Sequence, residues 1–467
     1  MKREERILSF YGDDFTGSTD AMEALTNSGF KTVLFLEPPS RKMLDERFPK
    51  VQCIGVAGVS RTMQPEQMEN ELKPILAKIK ELGTPVNHYK ICSTFDSSPD
   101  VGSIGKVLNM MLELNNEQQY VPIIAGAPTL HRYTVFGNHF AKVGSEIFRL
   151  DRHPVMSKHP ITPMEEADLL KHLGKQTDKP LALVNVNLLN EKSGELADAV
   201  RRIVSEKKPA GIMFDVLTDQ HLTRIGKQIW EACKKNDIFV IGSSGVEYAL
   251  ASYWNANKKD NELDANRARV TKEQVLAVSG SCSPVTSGQI EHALNNGFTG
   301  LKVSPVKLMD STTATGYLND LVGRVTEMID EGKNVIVYSA LGSEDSSIDE
   351  TRNYLASIGE ESSKSGQLLG EKLGKLIREA VERTSLKRIV IAGGDTSSYA
   401  TLEMGIYALE MIERMAPGAP LCTSYSDNKK FDGLEIALKG GQLGQVDYFS
   451  KVHRGSEEMI NVGGRGS

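Results

Sequence analysis

The sequence predicts an α/β protein of two domains, each built on a mostly parallel sheet. Three observations carry that prediction. A chain of 467 residues is too long for one ordinary core. Short apolar runs alternate with longer amphipathic ones along nearly its whole length, the rhythm of βα units. One polar stretch near the middle, Asn255–Arg269, interrupts the rhythm and has no sizeable apolar face.

The predicted elements follow in order. Ile7–Tyr11 reads as a strand and Ser18–Ser28 as a helix stopped by Gly29. Thr32–Leu36 and Val51–Val56 read as strands, Gln67–Leu82 as a helix, and Val86–Ile91 as a strand. Val121–Ala125, Leu181–Val186, Gly211–Phe214 and Ile238–Ile241 continue the series. The boundaries expected are residues 1–254 for the first domain, 255–272 for a linker and 273–467 for the second domain. That second domain opens on the strand Val275–Val278, continues with strands Asn334–Tyr338 and Arg388–Ala392 and a helix over Gly366–Arg383, and ends on a strand near Leu434–Leu438.

Composition narrows the function. Hydrophobic residues are 40% of the chain, charged residues 25%, and the formal net charge is −6. No basic tail or stripe stands out, which argues against nucleic acid and anionic membrane as partners. The five cysteines are scattered, with no CxxC pair, and read as reduced thiols of a cytoplasmic protein. The acidic residues in Met1–Arg6 do not suit a signal peptide. No apolar stretch approaches the about 18 residues a membrane span needs.

Several turns carry candidate chemistry. Gly12-Asp-Asp-Phe-Thr-Gly17 follows a predicted buried strand and precedes a helix, where ligands of open α/β sheets bind. A carboxylate there can take a proton from a substrate hydroxyl or bind a metal; the plain alternative is that Asp13 or Asp14 caps the helix. Val390-Ile-Ala-Gly-Gly-Asp-Thr-Ser-Ser398 offers backbone amides, hydroxyls and a helix N-terminus to an anion, although it lacks the lysine of a Walker loop. Ser279-Gly-Ser-Cys-Ser-Pro284 is a weaker signal of the same kind, as is Leu438-Lys-Gly-Gly-Gln-Leu-Gly444. Lys90, ending a strand in Lys90-Ile-Cys-Ser-Thr-Phe-Asp-Ser97, and Arg132 are candidate cations for an acidic substrate or a phosphoryl group. The prolines of His153-Pro-Val-Met-Ser-Lys-His-Pro-Ile-Thr-Pro-Met164 fix an irregular loop in which His153 and His159 serve as hydrogen-bonding residues better than as metal ligands.

Taken together, these segments resemble the four-carbon acid sugar kinase family. The matches run along nearly the whole chain: Gly12–Gly17, Lys90 with Ser93-Thr94, Arg132, His159–Met164, Gly242-Ser-Ser-Gly245, Ser279–Ser283, Gly393-Gly-Asp-Thr-Ser397 and Lys439-Gly-Gly441. The resemblance implies an N-terminal sugar-acid domain, a C-terminal nucleotide domain and an active site in the cleft between them. It implies Asp13, Asp14 and Lys90 as catalytic residues, and Thr16, Ser93, Thr94, Asp96, Arg132 and His159 as substrate-binding ones. ATP contacts are implied at Ser279, Ser281, Ser283, Gly393, Gly394, Asp395, Thr396 and Gly441, with Mg²⁺ placed by Asp395. The expected partners are a small sugar acid and ATP, and the expected assembly a homodimer.

One departure bears on specificity. The family pattern at the second motif is Lys-x-Asp-Ser-Thr-Leu-Arg-Gly, whereas this chain has Cys92, Asp96 and Ser97 in place of the aspartate, arginine and glycine. An acid in place of an arginine beside an anionic substrate should change what is bound, which makes a branched or 3-oxo acid such as 3-oxo-isoapionate an expectation. Two other classes are compatible with the residues alone: a sugar-acid sensor that consumes no ATP, and a metal-dependent phosphohydrolase or aldolase. Neither requires a second phosphate-binding domain.

Overall fold

Strands buried at every position, Leu8–Gly12, Val86–Lys90 and Ile238–Gly242 in the first half of the chain and Val275–Ser279 and Arg388–Ala392 in the second, form the middle of each half's sheet. Continuous burial is the mark of parallel strands covered on both faces. In the computed structural model the described residues are 6–159, 161–257 and 271–455. The chain divides into two compact units, Met1–Leu263 and Asp264–Ser467.

In the first unit the strands are β1 (Leu8–Gly12), β2 (Thr32–Phe35), β3 (Cys53–Ala57), β4 (Val86–Lys90), β5 (Val121–Ile124), β6 (Arg132–Val135), β7 (Asn138–Val143), β8 (Glu146–Arg149), β9 (Leu181–Val184), β10 (Gly211–Phe214) and β11 (Ile238–Gly242). The order β2-β3-β1-β4-β11-β5-β10-β9 is parallel throughout. The buried Ser9 of β1 is satisfied by Thr84 and Asn87, each at 2.8 Å. A separate antiparallel sheet, β6-β7-β8, has no counterpart among the predicted elements.

The strands of the second unit are β12 (Val275–Ser279), β13 (Phe298–Lys302), β14 (Asn334–Tyr338), β15 (Arg388–Ala392), β16 (Ile406–Ala416), β17 (Ala419–Ser426) and β18 (Glu435–Lys439). β13-β14-β12-β15-β18 are parallel, and β17 and β16 extend them antiparallel. Neither β13 nor the β16–β17 hairpin is among the predicted elements. The hairpin's strands are joined by Pro417-Gly418, and Gly418 has φ 71°, a turn signal the sequence carries openly.

Other differences have local causes. The first helix runs Phe15–Asn27, starting before the predicted Ser18, because the Asp14 carboxylate accepts from Gly17 N at 2.7 Å and caps it. The predicted helix Gln67–Leu82 is broken into Pro65–Gln67, a π-turn at Met68–Leu72 and Lys73–Glu81; Pro74 has no N–H for the regular helical bond. Of the expected linker, residues 255–257 close the helix Gly245–Asn257, and 258–270 lie outside the described residues. Among the described residues no helix is long and apolar enough to cross a membrane.

Candidate active site

Parallel register brings the first cluster together. Gly12 at the end of β1 stands beside Lys90 of β4 on one side and Ala57 of β3 on the other. Asp13 N donates to Lys90 O at 2.8 Å, and Arg61 N donates to Asp13 O at 3.0 Å. Asp13, Asp14, Lys90 and Arg61 therefore all sit at the carboxyl ends of three neighbouring strands.

Arg61 is the residue that sequence reasoning missed. Its guanidinium forks both aspartates: Nη2 reaches Asp13 Oδ1 at 2.7 Å, Nε reaches Asp13 Oδ2 at 3.2 Å, and Nη1 reaches Asp14 Oδ2 at 2.7 Å. Its signal was a cation just past a buried strand, in the short turn Ser60–Thr62, at the same sheet edge as Lys90. Asp13 is only 2% exposed. Burial raises its carboxyl above the usual range, Arg61 opposes this, and the neighbouring Asp14 adds to it. The Asp14 side chain keeps 28% of its exposure, so it is the reachable member of the pair. The Lys90 ammonium is buried, donates to Ile91 O at 3.0 Å and makes no ion pair among the described residues.

Gly17 is where these groups converge. A methyl built on it would lie 2.5 Å from Asp14 Oδ1, 2.9 Å from Lys90 Nζ and 3.8 Å from Arg61 Nη2. Thr16, in the same helical turn, is half-buried and its carbonyl accepts from Thr19 Oγ1.

A second group of predicted residues borders the first. Thr94 Oγ1 donates to Asp96 Oδ1 at 2.7 Å and stands 3.0 Å from Cys92 Sγ. Ser93 O pairs with His139 Nε2 at 2.8 Å. Between Thr94 and Asp96, Phe95 is wholly buried at φ 60°, a strained conformation for a non-glycine residue. Arg132 Nη1 donates to the carbonyls of Leu130 and His131, and the side chain lies in the field of Cys92 and Asp96. The Cys92 thiol is pushed up to about 11 by burial and by Asp96, and it also feels Arg61. Cys92 thus joins the two groups. His159 is turned into its own loop, where Nδ1 meets Thr162 N and Oγ1 at 3.1 and 3.0 Å; no described contact ties it to the Asp13 cluster.

The second unit gathers its own set. β12, β15 and β18 are neighbours, and the three glycine-containing turns leave their carboxyl ends together. Gly280 N donates to Ala392 O at 3.2 Å and Gly393 N to Lys439 O at 2.9 Å. A methyl on Gly280 or Gly393 would fall 2.3 or 2.8 Å from Thr396 Oγ1, and one on Gly441 2.6 Å from Ser281 Oγ. Gly393 also has φ 127°, so only glycine suits it. The serines serve the turn itself: Ser279 Oγ accepts from Ser281 N, Ser281 Oγ from Ser283 N, and Ser283 Oγ caps the helix Pro284–Asn295 at Val285 N. Gly394 and Asp395 are exposed in the first turn of the helix Gly394–Glu403. Beside these turns a cavity of ≈ 290 Å³ is lined by Gly280, Cys282, Met309, Ala340, Ile348 and Leu369 among others.

Comparison with known proteins agrees with this division. Residues 8–250 match a sugar-binding N-terminal domain and residues 276–449 a nucleotide-binding C-terminal domain. The chain is 39% identical to a 3-oxo-isoapionate kinase of Paraburkholderia graminis over 96% of its own length and 94% of the relative's. The chain belongs to the four-carbon acid sugar kinase family. It is an ATP-dependent sugar-acid kinase, and the sensor and hydrolase readings are not favoured. A 3-oxo-tetronate kinase of Pectobacterium atrosepticum is 28% identical, over 96% of this chain and 98% of that one. Haemophilus influenzae protein HI1011 shares the kinase's fold with a TM-score of 0.72 at 21% identity, covering 95% of this chain and 98% of that one.

Two outcomes follow for this kinase. Gly17→Ala displaces the ends of Asp14 and Lys90 rather than backbone, so kcat should fall by about 100-fold with little change in Tm; steady-state kinetics beside thermal melts read both. Asp13 must be ionised to hold Arg61, and its carboxyl is raised. The acid limb of kcat/KM should therefore lie above the ordinary carboxylate range, activity being lost as pH falls through it. A pH–rate profile locates that limb.

Proposed function

We propose that the acceptor is a 3-oxo, branched five-carbon acid of the 3-oxo-isoapionate type, phosphorylated on its terminal hydroxyl. The observation that carries this is Asp96 standing beside Arg132 where the family pattern has an arginine. The 39% identical relative that bears the name 3-oxo-isoapionate kinase supports it. A carboxylate at this position repels the acid end of a substrate and accepts hydrogen bonds from its hydroxyls. The acid end then goes to Lys90, which makes no ion pair among the described residues, while Arg132 and Asp96 meet the hydroxyls of the branch.

In this reading Asp14 accepts the proton of the terminal hydroxyl. Asp13 and Arg61 are positioning residues that hold its carboxylate in place, and Thr16, Ser93 and Thr94 border the acid. The turns at Ser279–Ser283, Gly393–Thr396 and Gly441 cradle the ATP phosphates with amides and helix N-termini, and the neighbouring cavity takes the adenine. The exposed carboxylate of Asp395 would be the protein's ligand to Mg²⁺, which would supply charge neutralisation for the transferring group.

The test is a coupled ADP-release assay over four- and five-carbon acids with and without a 3-oxo group. The branched 3-oxo acid should exceed threonate and erythronate in kcat/KM by about 100-fold or more, and Asp96→Arg should narrow that margin. Preference for threonate would refute the assignment. Asp14→Asn should lower kcat by about 10²–10⁴-fold while the acid still binds; undiminished turnover would remove the proposed base.

A further inference from the structure

Lys439 is the residue that the functional account leaves unused. It ends β18, directly before the Gly440-Gly441 turn, and its side chain is only 1% exposed. Its ammonium donates to Thr286 Oγ1 at 2.9 Å and stands 5.8 Å from the centre of the Tyr448 ring. No carboxylate pairs with it among the described residues. A buried ammonium without a countercharge is costly unless something compensates it.

Its surroundings point to the compensation. Thr286 lies in the first turn of the helix Pro284–Asn295, whose N-cap is Ser283, and the same Oγ1 donates to Gly441 O at 2.7 Å. The ammonium is therefore one hydroxyl away from the Gly441 turn, and Gly441 packs on Ser281 and Ser283. The Lys439 carbonyl receives the amide of Gly393, which opens the next glycine turn. Three turns suited to an anion thus share one buried positive charge beneath them.

We propose that Lys439 is the buried countercharge of the nucleotide phosphates, coupled to them through Thr286 and the Gly440-Gly441 turn as a positioning residue. The proposal rests on the reading that these turns hold ATP. Burial alone brings the free ammonium down to about 8. Among the described residues of the elements packed on it (β15, β17 and the helices Pro284–Asn295, Gly394–Glu403 and Tyr448–Arg454) the titratable group facing it is Tyr448, which presents its ring and bonds Ala419 O through its hydroxyl. A polyanion above the turn favours the charged lysine. Nucleotide binding near pH 8 should then take up a proton, and affinity should fall as pH rises past that value.

The experiment is isothermal titration of the full-length protein with ADP at pH 8 in two buffers of different ionisation enthalpy. Wild type should take up about half a proton per ADP. Lys439→Arg should keep ADP binding and lose the uptake. Lys439→Met should bind ADP about tenfold or more weakly without a lower Tm for the free protein, since removing an uncompensated buried charge costs the fold nothing. Tight ADP binding with no proton uptake in wild type would overturn the proposal and leave the ATP reading standing. No ADP binding by wild type would overturn both.

Discussion

Two adjacent carboxylates at the end of a buried strand repel each other, and Asp13 has lost nearly all its water. The arrangement stands because one guanidinium, Arg61, meets both at once with three hydrogen bonds, two of them short. Arginine is suited to this in a way lysine is not, because its planar fork can address two acceptors in fixed directions. Breaking such a buried pair on one side costs about 3–5 kcal/mol. The turn Gly12–Gly17, the short turn that carries Arg61 and the strand end at Lys90 are therefore held as one unit, and Asp14 is left partly open on its outer side.

The second unit also holds a buried charge beneath its turns. There the groups that would receive charge are backbone amides at helix starts, and the buried cation below them is Lys439. In the first unit the buried Asp13 is neutralised by Arg61, and the buried Lys90 beside it makes no ion pair among the described residues. Each unit thus keeps one buried ammonium without a carboxylate partner among the described residues. A kinase that must attract anions gains from such charges, since phosphoryl transfer is mostly positioning and charge neutralisation.

Much of this was legible in the sequence, for identifiable reasons. Strands buried on both faces leave continuous apolar runs, so Gly211–Phe214, Asn334–Tyr338 and Arg388–Ala392 fall where the pattern puts them. Glycines next to acids and hydroxyls at strand ends pointed to both loop clusters. What escaped was whatever depends on contacts distant in sequence. Arg61 is 48 positions from Asp13 and carries no motif of its own. Arg132–Arg149 is polar on one side and forms short antiparallel strands whose partners are set by packing. Asp14 bears out the plain reading and does more besides: it caps the helix with one oxygen and meets Arg61 with the other.

The central claim is that Arg61 acts on the chemistry through the aspartate pair, and a double-mutant cycle in kcat tests it most directly. Arg61→Lys and Asp14→Asn are measured singly and together with the preferred sugar acid at saturating ATP. If the fork holds Asp14 in its working position, the double variant is little worse than Asp14→Asn alone, a coupling of about 1–3 kcal/mol. If the two losses simply multiply, Arg61 acts independently of the pair and the account is wrong.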